Sequence, residues 1–371
     1  MSGNRSITPL KIIASGVALP ENKIYSSMLD EKLNKPKGFV EKHSGIEYRF
    51  HASHTDSQAV LASLAIQNAL HANHIVPSSI DMLINASAIP VQALPCSAAH
   101  ILEQSNLNQG IACFDVNSSC ISFITALQVA AGLLATSAYQ RIAIVSADIA
   151  SRGIDWQDKE SSLIFGDGAA CVVVEKGDGN SGIISYTHTT YTAGIDFCEI
   201  RAGGTRRNPR AGMTDDDFLF HMQGKKLFRL ASSLIEDFMQ QVFSESGIQL
   251  KQIGTVIPHQ ASHLSLEHMR QRVGVTTEQL VDIYCHRGNQ VAASIPSALH
   301  EAIITGRFYE KPSAMLIGTA AGLALCAMVL VPWRSSSQVL RVALVEMQVS
   351  TYWGEVLKSS LVGETRKQEN S

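Results

Sequence analysis

Short apolar runs alternate along the chain with longer segments of helical periodicity. "LKIIASGVALP" is followed by "SQAVLASLAIQNALHAN", then by "IDMLINASAIP", "ISFITALQVAAGLLATSA", "RIAIVSADI" and "AACVVVEKG". A short apolar run bounded by turn residues reads as a buried strand, and the longer periodic segments read as helices. Strand followed by helix, repeated, is the pattern of a mostly parallel sheet covered on both faces, so the pattern predicts an α/β fold.

A second series begins near residue 181 with "GIISYTHTTY". It continues through "GKKLFRLASSLIEDFMQQVFSESG", "IGTVIPHQAS", "SLEHMRQRVG", "IPSALHEAIITG" and "SAMLIGTAAGLALCAMVLVPW". Each series pairs a long helix with a short apolar strand, "IDMLINASA" in one and "IGTVIPHQA" in the other. This layout predicts an internal duplication joined near 176–181, where "KGDGNSG" supplies turn chemistry, with one half over 1–178 and the other over 179–333. In the long helix of the second half, Leu227, Leu230, Ile235 and Phe238 read as core. Residues 199–218, rich in Gly, Arg and Asp, read as a surface excursion bordering a site. From 334 to 371 the chain reads as an extension; its last dozen residues are expected to be disordered, and its middle to form a helix or strand that could pair with a partner subunit.

Composition narrows the class. The 371 residues are 45% hydrophobic, enough for two domains or one large duplicated unit. With 30 Lys and Arg against 33 Asp and Glu, and no long run of like charge, nothing points to nucleic acid or an anionic membrane surface. Seven cysteines form an odd set without a CxxC pair, which argues against a disulfide framework and against a metal site of zinc-like spacing. A reducing cytoplasm fits that usage. "MSGNRSITPLKIIASG" lacks an apolar core with a cleavage site, and no stretch approaches the roughly 18 apolar residues of a membrane span, so a soluble protein is expected.

Five features could carry chemistry. Cys120, at the end of "FDVNSSC", stands where a strand passes into a helix, and a helix N-terminus favours a thiolate. Buried cysteine is also common as a small core residue. His259 closes the strand-like "VIPHQAS", in the position where parallel sheets gather functional groups, although a satisfied structural histidine would look the same. Asn289 sits in the Gly-containing turn of "HRGNQVAAS", which is ordinary turn chemistry as well. Asp167, between the glycines of "IFGDGAAC", reads as a tight turn into a strand. "IGTAAGLALC" is a small-residue loop whose amides could approach a carbonyl.

The order and spacing of "FDVNSSC", "FGDGA", "PHQA", "GN" and "GTAAG" resemble the thiolase superfamily, and within it the β-ketoacyl-acyl-carrier-protein synthase III branch, over about residues 7–333. The resemblance implies a five-layer αβαβα fold of two duplicated halves, acting as a cytoplasmic homodimer. It implies that Cys120 takes an acyl group from a thioester, and that His259 and Asn289 hold the carbonyl of a malonyl-type thioester as it loses carbon dioxide. The backbone amides of Cys120 and Ala320 would hold the oxyanion. Acyl-coenzyme A or acyl-carrier protein, and malonyl-carrier protein or malonyl-coenzyme A, would be the substrates, with acyl carrier protein as a partner and no bound metal or cofactor. Phe39, Leu94, Arg152 and Arg270 are the implied substrate-binding residues.

Departures from the family bear on the substrate. Phe39 stands where a Trp often stacks on adenine, and His43 where Arg is usual; Ala320 replaces a glycine; Arg287 and Gln290 flank the "GN". Leu94 replaces a bulkier aromatic that limits acyl length across the dimer, implying a roomier tunnel and a specialised synthase. Arg206, Arg207 and Arg210, and Arg270 with Arg272, are basic clusters that could meet a carrier protein or equally be solvated surface. The rivals are an acyltransferase or a non-decarboxylating Claisen enzyme of the same fold, and a non-catalytic acyl-binding partner.

Overall fold

The computed structural model describes residues 7–159 and 161–334. The expectations for the chain beyond Arg334 lie outside the described residues. Two five-stranded sheets form the frame. The first contains β2 (Lys11–Ala18), β3 (Met82–Asn85), β4 (Ala112–Asp115), β5 (Arg141–Asp148) and β6 (Gly168–Glu175), in the order β2-β6-β5-β3-β4. The second contains β1 (Thr8–Pro9), β7 (Gly182–Thr190), β8 (Ile253–Pro258), β9 (Ser313–Ala320) and β10 (Ala324–Val331), in the order β1-β7-β10-β9-β8.

Leaving β1 aside, the two orders are the same arrangement repeated: first strand, last, penultimate, second. At the end of the second sheet a single parallel bridge, Val256 to Leu280, stands where β4 stands in the first. At its other edge β1 pairs antiparallel with β7, so the chain's first strand belongs to the second sheet and its next to the first.

The expectation of a mostly parallel sheet is corrected here. Only β3/β4, β3/β5 and β8/β9 run parallel; the other five pairings are antiparallel. The cause lies in the connections. Parallel neighbours need a crossover of a dozen or more residues, and only three residues join Ala320 to Ala324, so β9 and β10 must form a hairpin.

Alternation along the strands builds the layers. Ile142 and Ile144 face one core while Ala143 and Val145 face another; Leu316 faces the first of these cores while Met315 and Ile317 face a third. With side chains pointing alternately to opposite faces, each sheet is apolar on both sides and must be covered twice. Helices α2 (Gln58–Ala72) and α3 (Ser97–Gln104) cover the first sheet's outer face, and α5 (Gly224–Ser246) and α6 (His263–Val273) the second's. Between the sheets lie α4 (Ser122–Ala135) and α7 (Ser294–Ile304). A helix enclosed on all sides has to be apolar all round: Phe123, Ile124, Ala126, Leu127, Ala130, Ala131 and Leu134 are all fully buried. The result is the five-layer αβαβα stack. In α5, Ile235 and Phe238 lie in the core as expected, whereas Leu227 and Leu230 are half-buried at its margin.

Candidate active site

Cys120 follows β4 through a turn assembled by its own small polar residues. The Asp115 carboxylate accepts the amides of Ser97 (2.8 Å) and Ala98 (2.7 Å), anchoring the strand end against α3. Asn117 Oδ1 accepts the Ser119 amide at 2.9 Å while its Nδ2 donates to the Ala88 carbonyl, also at 2.9 Å. Ser122 Oγ accepts the Ser118 amide (2.8 Å) and donates to the Ser119 carbonyl (2.6 Å). This lattice holds Ser119 at φ +53°, a left-handed conformation that non-glycine residues rarely adopt. The central helix begins at Ser122 with Ile121 as N-cap, so Cys120 immediately precedes the cap.

Cys120 is partly buried, and loss of hydration pushes the thiol well above its ordinary pKa; Cys198 and Asp148 nearby push the same way, against amide hydrogen bonds from Ala321 and from Cys120 itself. The helix N-terminus therefore does not set the resting state: loss of hydration outweighs it, and the thiol is protonated. The two amides at the sulfur form a pocket for negative charge. The loop amide at the sulfur is that of Ala321, next to the Ala320 expected for an oxyanion. Ala320 is still in β9, opposite Ala324.

His259 directly follows β8, its amide donating to the Ile317 carbonyl at 2.8 Å. The imidazole is buried, Nδ1 has no hydrogen-bond partner among the described residues, and burial pushes its pKa down to about 4, so the ring is neutral at physiological pH. Gln260, which sequence reasoning passed over, fixes this turn. Its fully buried carboxamide donates to the carbonyls of Pro258 (2.9 Å) and Val281 (3.1 Å) and accepts the Ile283 amide (3.0 Å).

Gly318 on β9 packs against both Ile121, the residue after Cys120, and His259. A Cβ placed there would lie 2.9 Å from Ile121 Cγ2 and 3.2 Å from His259 Cβ, so the residue after Cys120 and the candidate histidine press on the same glycine. Gly318→Ala is expected to destabilise the fold by about 1–3 kcal/mol through overpacking and to slow turnover. Thermal unfolding beside a steady-state rate checks both.

Asn289 is stitched to the other half of the chain. Its amide donates to the Ile164 carbonyl (2.7 Å) and its carbonyl accepts the Gly166 amide (3.1 Å). The side chain donates through Nδ2 to the Ala261 carbonyl (3.2 Å), two residues from His259, and accepts the Val291 amide through Oδ1 (2.9 Å). Asp167 is more than the turn expected of it. Its buried carboxylate accepts the amides of Ser151 (2.8 Å) and Ala52 (2.7 Å) and the Ser151 hydroxyl (2.5 Å), and Gln290 Nε2 donates to its carbonyl (3.0 Å). Burial pushes its pKa up to about 6, against those hydrogen bonds.

The implied substrate-binding residues are scattered. Phe39 lies in a short helix, α1 (Phe39–Ser44), where the His43 ring stacks on it at 4.0 Å, covering the face a base would need. Arg152 donates to the Ser53 carbonyl (3.2 Å) and lines an open cleft of about 460 Å³ with His51, His54, Ser151 and Trp156. Arg270 lies in the last turn of α6, where it pairs with Glu267 (2.7 Å) and donates to the Val275 carbonyl (3.4 Å). Leu94 is 82% exposed in the loop between β3 and α3. Among the described residues no group of three or more His, Cys, Asp or Glu side chains could hold a metal ion, and no helix is long and apolar enough to cross a membrane.

Residues 114–192 match the family model described as 3-oxoacyl-[acyl-carrier-protein (ACP)] synthase III, and residues 243–331 match the model of its C-terminal part. The β-ketoacyl-[acyl-carrier-protein] synthase III of Erythrobacter litoralis is 30% identical over 316 residues, covering 84% of this chain and 95% of the relative. Among solved structures, the 3-oxoacyl-[acyl-carrier-protein] synthase III of Aquifex aeolicus is similar at a TM-score of 0.77 and 26% identity, covering 87% of this chain and 99% of its own. The synthase III of Thermus thermophilus is similar at 0.78 and 26%, covering 88% and 100%. The chain thus belongs to the β-ketoacyl-acyl-carrier-protein synthase III family, the condensing enzymes of the thiolase fold.

Proposed function

We propose that the protein carries an acyl group on Cys120 and condenses it with a malonyl-type thioester, with His259 and Asn289 as the groups that hold the decarboxylating partner. The observation that supports this best is the pairing of two unlike oxyanion pockets across Gly318. One is made of the Cys120 and Ala321 amides at the sulfur. The other is made of a neutral imidazole and an oriented carboxamide joined through the 259–261 turn.

In the first step the Cys120 sulfur forms a bond to the acyl carbon while the donor's thiolate leaves and takes up the proton the thiol gives up. Because the resting thiol is held protonated, its proton departs as the S–C bond forms. In the second step the bond to the malonyl carboxylate breaks, carbon dioxide leaves, and the electron pair becomes an enolate whose oxygen accepts hydrogen bonds from His259 and Asn289. Donors fixed before the reaction stabilise that new charge more than the ground-state carbonyl. A neutral imidazole suits the task, since it donates without delivering its proton to the carbanion. The carbanion attacks the acyl carbonyl, the tetrahedral oxyanion rests on the Cys120 and Ala321 amides, and the Cys120 thiolate leaves to be reprotonated.

In this reading the donor is an acyl-coenzyme A or acyl-carrier protein and the extender a malonyl-carrier protein or malonyl-coenzyme A. The working form is a cytoplasmic homodimer in which the exposed Leu94 reaches the partner's acyl tunnel. The altered positions Phe39, His43 and Leu94 favour a specialised fatty-acid or secondary-metabolite pathway. Acyl donors of graded length, on coenzyme A and on carrier protein, are expected to give a β-ketoacyl thioester and one carbon dioxide per turnover with a malonyl partner. Acyl transfer to an alcohol or amine without carbon dioxide would overturn the condensation in favour of a transferase.

A further inference from the structure

Asp148, the last residue of β5, is fully buried beside the site, and the reaction outlined above gives it no task. It has no cationic partner among its hydrogen bonds. Oδ1 accepts the amides of Ala88 (3.1 Å) and Ile89 (2.9 Å), in the loop that leaves β3. Oδ2 accepts the amide of Ala292 at 3.0 Å, from the other half of the chain. A carboxylate is the one side chain that offers two acceptor atoms and no donor, so it can hold both loops at once.

The turn it holds is strained. Val291, between Asn289 and Ala292, has φ +52°, a left-handed conformation that is a genuine outlier for a β-branched residue. Such strain persists only where the surroundings over-determine it. Here the determinants are the Asn289 Oδ1 bond to the Val291 amide on one side and the Asp148 bond to the Ala292 amide on the other. Relaxing Val291 would withdraw the acceptor contact of the Asn289 carboxamide and turn its Nδ2 away from the Ala261 carbonyl.

We infer that Asp148 is a positioning residue for the condensation: its carboxylate, anchored to Ala88 and Ile89, clamps the Ala292 amide and thereby keeps the Val291 turn wound and the Asn289 carboxamide aimed at the extender's carbonyl. The inference rests on the function proposed above. Its effect falls chiefly on decarboxylation, because the Cys120 turn keeps the Ser122 bonds to Ser118 and Ser119, although Asn117 also rests on the Ala88 carbonyl. The charge of Asp148 near Cys120 opposes ionisation of the thiol, so removing it leaves acylation no slower.

Asp148→Asn is nearly isosteric but sets an NH₂ group against one of three N–H donors. With purified full-length protein, acyl uptake is followed by intact mass, and carbon dioxide release from a malonyl thioester is followed separately. Uptake is expected to match or exceed wild type, while decarboxylation falls about 100-fold, the scale of a misplacement of the order of 1 Å. Adding Val291→Gly, which accepts the left-handed turn without strain, should restore a large part of the decarboxylation rate, a recovery that a merely structural loss would not show. Equal loss in both half-reactions, no loss in either, or no recovery in the double variant overturns the inference. If D148N does not fold, Asp148→Ser carries the same comparison; if neither folds, the residue serves folding and the inference is overturned. A wild-type protein that takes up no acyl group sinks the underlying function instead.

Discussion

Replacement of Cys120 by serine is expected to leave a folded protein that takes up no acyl group from any thioester and condenses at least about 10⁴-fold more slowly, the scale on which enzymes lose activity when their nucleophile is removed. The substitution exchanges sulfur for oxygen within one turn. The bonds of Asn117, Ser119 and Ser122 that shape the loop do not involve the side chain of residue 120, so thermal unfolding should stay close to wild type. What changes is reactivity, since a hydroxyl in the same position is a far weaker nucleophile than a thiol. The measurement is intact mass after incubation with acyl donors of several lengths, with peptide mapping to locate any adduct. An adduct that persists in Cys120→Ser, on exposed Cys285 for instance, would remove Cys120 from the role proposed for it.

His259→Ala and Asn289→Ala are expected to divide the reaction. Each should still accept the acyl group, and each should release carbon dioxide from a malonyl thioester about 10²–10³-fold more slowly, the usual cost of deleting one oxyanion donor. Asn289→Ala also deprives the Ala261 carbonyl and the Val291 amide of their partners. It should therefore lower stability by about 1–2 kcal/mol beyond its effect on rate. For the histidine the pH dependence adds a sign. A ring whose pKa is pushed down to about 4 is neutral from about pH 5 upward, so its titration contributes no change in decarboxylation rate between pH 6 and 8. Loss of acylation in step with decarboxylation, in both variants, would argue against the division of labour.

Much of this was legible in the chain because it rests on local rules. The repeat of strand and helix forecast sheets covered on both faces, and the family resemblance forecast the five layers, which are the layers found. "NSSC" announced a turn, and its Asn and Ser side chains do build one. Strand direction was less legible, because it depends on which strands end up adjacent. The roles of Asp167, Asp148 and Gln290 were hidden for a related reason. Asp167 meets Ala52 across 115 positions, Gln290 meets Asp167 across 123, and Asp148 meets Ala292 across 144. No spacing within a motif encodes such a partner. The contact of Phe39 with His43 is the opposite case: four residues apart on one helix they are natural neighbours, and they stack on each other.

The placement of β1 in the second sheet has a consequence for synthesis on the ribosome. Thr8 and Pro9 emerge first, yet their partners Ile183 and Gly182 follow only after some 170 further residues, about 10–35 s later at 5–20 residues per second. By then the strands of the first sheet and the α4 helix have all been made, so Cys120 exists in a nascent chain whose second wall does not. His259, Asn289 and the Ala321 amide come later still. Cys120 is thus made before the surroundings that keep its thiol protonated, and these are completed only with β9 and β10.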